Sequence, residues 1–130
     1  MLEKYFFDSS AFIEILREQS RSVAVERLLD SLKRSQKFTS VLVAYELYRG
    51  IPLSYSRRKS QTQALNEILA DFTLKPVHEA VAMHAAKLHR FSKGDIDPVL
   101  AAQCIDGGYT LVTVNEKDFV RVPGIRLAKL

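Results

Sequence analysis

The sequence predicts an α/β protein in which a small parallel sheet is covered by helices on both faces, and three observations carry that prediction. Short apolar or β-branched runs alternate with stretches whose apolar residues recur at helical spacing, the pattern of strand–helix–strand units. The run KYFF, ending at Asp8, suits a buried strand, and YTLVTV is the strongest strand by β-branched content. Boundary residues fall where such units need them: Pro98 in the first turn of a predicted helix, Gly107-Gly108 at its end.

In chain order, the first strand is followed by a helix carrying Phe12, Ile13 and Leu16. A second helix carries Val23, Val25, Leu28, Leu29 and Leu32. Residues 37–40 (KFTS) read as a strand, and VLVAYELYRG as a helix closed by Gly50, with Pro52 as a stop signal. An amphipathic helix from about Ser56 to Asp71 precedes a short strand at 73–76, ended by Pro76. His78 to Phe91 reads as helix with Val81, Ala85, Leu88 and Phe91 on one face, and Asp97-Pro98 opens the next helix. After YTLVTV, the closing IRLAKL could add a short edge strand. No repeat, low-complexity block or Pro/Gly/Ser-rich linker interrupts this order, so residues 1–130 read as one domain. Ligands of such sheets bind beyond the carboxyl ends of the strands, where Asp8 and Asn115 fall.

Hydrophobic residues make up 47% of the chain and charged ones 26%, a profile that excludes global disorder. The single cysteine, Cys104, cannot form an internal disulfide; within VLAAQCI it reads as a small buried hydrophobe in a reducing cytosol. The opening MLEKYFFDSS fits neither a signal peptide nor a membrane span, so a soluble cytoplasmic protein is expected. The net charge is +4 and the pI about 9.3. Basic residues gather as Lys33, Arg34 and Lys37, as Arg57, Arg58 and Lys59, and as Lys87, Arg90 and Lys93. Were Asp8, Glu46 and Asp97 neutralised around a metal, removing three negatives from +4 would leave +7, an attraction for a polyanion that weakens with salt.

Three carboxylates stand out. Asp8 and Asp97 each precede a helix, so capping and ligation remain equally open readings. Glu46 and Arg49 are the only charged residues in VLVAYELYRG; a nearly apolar helix is usually buried, which places Glu46 near the interior. A buried carboxylate costs several kcal/mol unless a cation compensates it, and either a metal or Arg49 could do so. Converging carboxylates form a hard-oxygen site suited to magnesium or manganese. Zinc is disfavoured because Cys104 is solitary and His78, His84 and His89 lack zinc-ligand spacing. There is no G-x-S-x-G elbow and no glycine-rich phosphate loop. A phosphotransferase with Asp8 as nucleophile would want a second aspartate two residues on, where Ser10 stands.

The succession FFDSSAFIEIL, TSVLVAYELYRG and DPVLAAQCIDGGYTLVTVNEKDF, followed by VPGI, resembles PIN-domain ribonucleases of the VapC toxin type over nearly the whole chain. The resemblance implies a three-layer α/β/α fold with a small parallel sheet. It also implies magnesium- or manganese-dependent cleavage of RNA to 5′-phosphate and 3′-hydroxyl ends, a VapB-like protein antitoxin and a homodimer. Asp8, Glu46 and Asp97 match the family's first three acidic positions. Asn115 occupies the usual fourth, where its neutral amide adds no negative charge; Asp118 or Glu116 could substitute. Ser10 and Thr113 match polar positions that support the ligands by hydrogen bonding. The alternative to catalysis is a PIN-fold binding module, weak in turnover, that acts through antitoxin or RNA.

Overall fold

Phe6 and Phe7 are both fully buried, although neighbouring residues of a strand point to opposite faces of a sheet. Both faces are therefore covered. The computed structural model describes residues 2–51, 55–92 and 94–130 (without the side chains of Tyr55 and Ser56), so Pro52 and Lys93 of the sequence reading lie outside the described residues. Strands β1 (Tyr5–Phe7), β2 (Lys37–Ser40), β3 (Thr73–Lys75) and β4 (Thr110–Val112) form one all-parallel sheet in the order β3-β2-β1-β4.

Helices α1 (Ser9–Leu16) and α2 (Ser22–Ser31) link β1 to β2, and α3 (Val41–Arg49) and α4 (Tyr55–Leu69) link β2 to β3. Helices α5 (Glu79–Leu88) and α6 (Asp97–Gly107) return the chain across the sheet to β4. Parallel crossovers are right-handed, so reversing the direction of winding after β3 places α5 and α6 on the face opposite α1–α4. Contacts agree: α1 packs on α2 and α3, α3 on α4, and α5 on α6. The result is the expected three-layer α/β/α arrangement.

The two cores are aromatic. Phe7 meets Phe12 of α1 and Phe72, with ring centroids 6.0 and 5.0 Å away, while Phe6 and Phe38 pack on Tyr109 at 5.4 and 4.9 Å. Tyr109 explains the paired glycines. Its ring lies so close to Gly107 that an added Cβ would sit 2.2 Å from it, and Gly108 takes a left-handed conformation (φ 71°) that ends α6.

Gly50 closes α3 as expected, in an ordinary right-handed conformation (φ −77°), with Ile51 donating to Tyr48 O at 3.2 Å. Two local expectations are corrected. His78 precedes α5, which stops at Leu88, and His89–Phe91 forms a separate 3-10 turn. IRLAKL contributes one parallel bridge, Leu127 to Leu111, because Pro123 and the left-handed Gly124 (φ 84°) admit the chain to the edge for only a few residues. Among the described residues no helix is long and apolar enough to cross a membrane.

Candidate active site

In a parallel sheet all carboxyl ends share one rim. Between β1 and β4, the strands from which the chain winds in opposite directions, the connecting loops diverge and leave a crevice. Asp8 follows β1, Thr113 follows β4, and the Asp8 N–H donates to Val112 O (3.1 Å), extending the ladder to this rim.

Asp8 is 5% exposed, and its capping reading holds. Its Oδ1 caps α1 by accepting from Ala11 N, 3.1 Å. The same oxygen accepts from Ser10 Oγ at 2.6 Å. Ser10 has one hydroxyl proton and spends it on Asp8, so Thr113 is the donor in the 3.1 Å contact between Thr113 Oγ1 and Ser10 Oγ. Ser10 Oγ also accepts from Val114 N and Thr113 Oγ1 from Asn115 N, which locks both hydroxyls to the loop after β4. Burial raises the Asp8 pKa from its usual range, and hydrogen bonds from Ser10 and Ala11 oppose that rise.

Asp97 is not a cap. It is the first residue of α6, with Ile96 at the capping position and Pro98 behind it. Its pKa is pushed up to about 6 by burial, and then by the negative charges of Asp8, Asp118 and Glu46. Those causes place the four carboxylates within electrostatic reach of one another. Neither ion pair found among the described residues, Arg21–Glu116 and His84–Asp106, involves any of the four.

Glu46 corrects one expectation. It is half-buried, and Val41, Tyr45 and Tyr48 on the same helix are exposed; the deeply buried carboxylate is Asp8. Arg49 does not pair with it among the described residues but lies over the Tyr45 ring, 5.4 Å from its centroid. Glu46 instead accepts from Ser9 Oγ at 2.5 Å, a contact across 37 positions that the sequence reading did not find. Asn115 is exposed and joins through its backbone N–H, whereas the charge of Asp118 acts on Asp97 more strongly than that of Glu46. Glu116, the other suggested substitute, is exposed and paired with Arg21 at 3.3 Å. His84 is held by Asp106 at 2.8 Å, and Cys104 is buried with its thiol pKa raised by that burial, as expected of a small buried hydrophobe.

Among the described residues no group of three or more His, Cys, Asp or Glu side chains is set to enclose an ion as arranged. The carboxylates gathered at the rim are nonetheless all-oxygen donors, mutually repelling and, among the described residues, unpaired with any cation. That chemistry suits a hard divalent ion, and magnesium keeps several waters while taking only one or two carboxylates directly.

A groove of about 550 Å³ leads away from Ser9 and Glu46 between α1, α3 and α4. Ile13, Leu16, Leu47, Ile51 and Leu65 line it, with Arg17, Arg49 and Arg57 among its polar groups.

Comparison with known proteins agrees with the fold. No significant match was found among curated proteins. The fold is shared with VapBC2 from Rickettsia felis, in a structure bound to a promoter DNA fragment: TM-score 0.81, 19% identity, 97% of this chain and 98% of the other. It is shared equally with FitAcB from Neisseria gonorrhoeae (TM-score 0.82, 22% identity, 95% and 96% covered). A toxin-antitoxin complex from Klebsiella pneumoniae gives TM-score 0.72 at 22% identity, with 94% and 95% covered. A model of the PIN domain matches residues 5–125, nearly the entire span from β1 to the last bridge, and the chain belongs to the PIN-domain family.

Proposed function

We propose that the protein is a magnesium- or manganese-dependent endoribonuclease that hydrolyses RNA phosphodiester bonds and acts as the toxin of a toxin–antitoxin pair. The observation that carries this reading is the electrostatic state of Asp97. A carboxyl group raised to about 6 by burial and three neighbouring carboxylates belongs to a cluster whose charge is uncompensated until a cation arrives.

Asp8, Glu46 and Asp97 would hold the ion, with Asp118 rather than Asn115 at the fourth position. A divalent cation bound there supplies a water nucleophile near neutral pH and offsets charge on the scissile phosphate. Ser10 and Thr113 hold Asp8 in one orientation, and Ser9 does the same for Glu46. The resemblance to PIN-domain ribonucleases implies products with 5′-phosphate and 3′-hydroxyl ends, so water rather than the RNA 2′-hydroxyl would be the nucleophile.

A VapB-like antitoxin is the expected partner, supported by the complexes that share the fold. The groove along α1, α3 and α4 suits an amphipathic segment of it: apolar residues on Leu16, Leu47 and Ile51, carboxylates on Arg17, Arg49 and Arg57. Such a segment would end beside Glu46 and obstruct the site. A homodimer belongs to the same reading, and light scattering of the purified protein reads it directly.

The competing reading is a binding module without turnover, favoured by the absence of a preset ligand trio among the described residues. Calorimetric titration with magnesium or manganese separates the two. Binding in wild type that is lost in Asp97→Asn, together with loss of RNA cleavage, supports the nuclease. No binding at millimolar metal, or undiminished cleavage by folded Asp97→Asn, overturns it.

A further inference from the structure

Asp118 has a second neighbourhood. Besides acting on Asp97, it lines a cleft of about 570 Å³ between the His89–Phe91 turn and the Glu116–Asp118 turn. The buried Ser92 hydroxyl donates to Asp118 O (3.1 Å) and ties the two walls together. Arg90, Lys117 and Arg121 line this cleft, all exposed, and none is ion-paired among the described residues. The Arg90 guanidinium lies over the Phe91 ring, 4.8 Å from its centroid. Unlike the groove along α1, α3 and α4, the cleft has no aliphatic floor among the described residues.

Unpaired cations beside a planar group backed by an aromatic ring are the chemistry that holds single-stranded nucleic acid: charge for the phosphates, a flat surface for a base. An amphipathic peptide would find no Leu, Ile or Val side chain among the described lining residues to pack its own aliphatic side chains against. Resting on the ribonuclease reading, we propose that this cleft receives the single-stranded RNA substrate and leads it to the carboxylates, with Lys117 and Arg121 on backbone phosphates and Arg90 beneath a base. Substrate then approaches past Asp118 and the antitoxin past Glu46.

The test is fluorescence anisotropy of labelled single-stranded RNA with the full chain in EDTA, so that binding is read without cleavage. Lys117→Ala and Arg121→Ala should each weaken binding about five-fold near 0.1 M salt and lower the slope of log affinity against log salt by about 0.7, the share of one phosphate contact. Arg90→Lys keeps the charge and loses the plane; it should weaken binding without changing that slope. Lys33→Ala, exposed near the amino end of β2 at the opposite rim, should bind as wild type does. Wild-type affinity and slope in both Lys117→Ala and Arg121→Ala, an equal loss in Lys33→Ala, or no RNA binding by wild type would overturn the assignment. Magnesium-dependent cleavage of the same RNA separates the two proposals. Cutting by wild type with unaltered binding in the variants removes the cleft and spares the nuclease. Cleft-dependent binding without cutting does the reverse.

Discussion

Two hollows of similar volume flank the carboxylates, about 550 and 570 Å³, yet their linings differ in kind. The groove along α1, α3 and α4 has an aliphatic floor under arginines, a surface that rewards a partner able to bury leucine-like side chains. The cleft between the His89–Phe91 and Glu116–Asp118 turns offers cations and one aromatic ring, a surface that rewards phosphates and bases. Arginine occurs in both, so positive charge alone does not distinguish a protein-binding face from a nucleic-acid-binding one. What lies under the charge does.

The largest expected effect comes from removing the centre that both hollows flank. Asp97→Asn should lower metal-dependent RNA cleavage at least about 100-fold while leaving RNA binding in EDTA and antitoxin binding intact. Measuring all three on one preparation, with circular dichroism to verify folding, checks it. Next is Leu16→Asp, at a position 40% exposed in the aliphatic groove. It should weaken binding of the protein encoded by an adjacent short reading frame by about 2 kcal/mol, roughly 30-fold, with cleavage unchanged. An equal loss of cleavage would break the separation of the two faces. Ser9→Ala should cost about ten-fold in metal affinity by freeing Glu46, read by calorimetry.

The smallest effect concerns stability. The Asp97 pKa is about 6 when folded, against 3.8 for an ordinary aspartate, so below pH 6 the folded chain binds more protons than the unfolded one. This contribution is therefore fully present below about pH 4 and is lost as pH rises through 6. Without divalent metal, acidifying from pH 7.5 to 5 should stabilise wild type relative to Asp97→Asn by about 1 kcal/mol, after discounting for the half-exposed position. Thermal melts of the two proteins in EDTA read the difference, and magnesium at pH 7.5 should shrink it.

Much of the fold was legible because local signals agreed with one another. Pro98 and Gly108 bracket α6 where capping chemistry demands, and the apolar run before Asp8 is buried on both faces. The end of the chain was less legible, since a single bridge at Leu127 leaves no periodicity to read. Within the site, burial was misjudged because Tyr45 and Tyr48 count as apolar in a sequence pattern yet face solvent, which made the surroundings of Glu46 look drier than they are. Burial is also an incomplete guide. Glu14 is as buried as Asp8, at 5%, but its carboxylate accepts from Arg21 N (2.5 Å) at the start of α2 and is spent on structure. What sets Asp8 apart is the company of Glu46, Asp97 and Asp118, distant in sequence and brought together only by the rim of the sheet. Ser9–Glu46 and the Arg90–Lys117–Arg121 cleft were invisible for the same reason.

The most direct test of a carboxylate-bound metal directing water at RNA is the chemistry of the cut ends. Purified protein incubated with single-stranded RNA and magnesium should yield 5′-phosphate and 3′-hydroxyl termini, with no cutting in EDTA or by Asp97→Asn. Ends bearing 2′,3′-cyclic phosphate, or cutting that persists in EDTA, would contradict it.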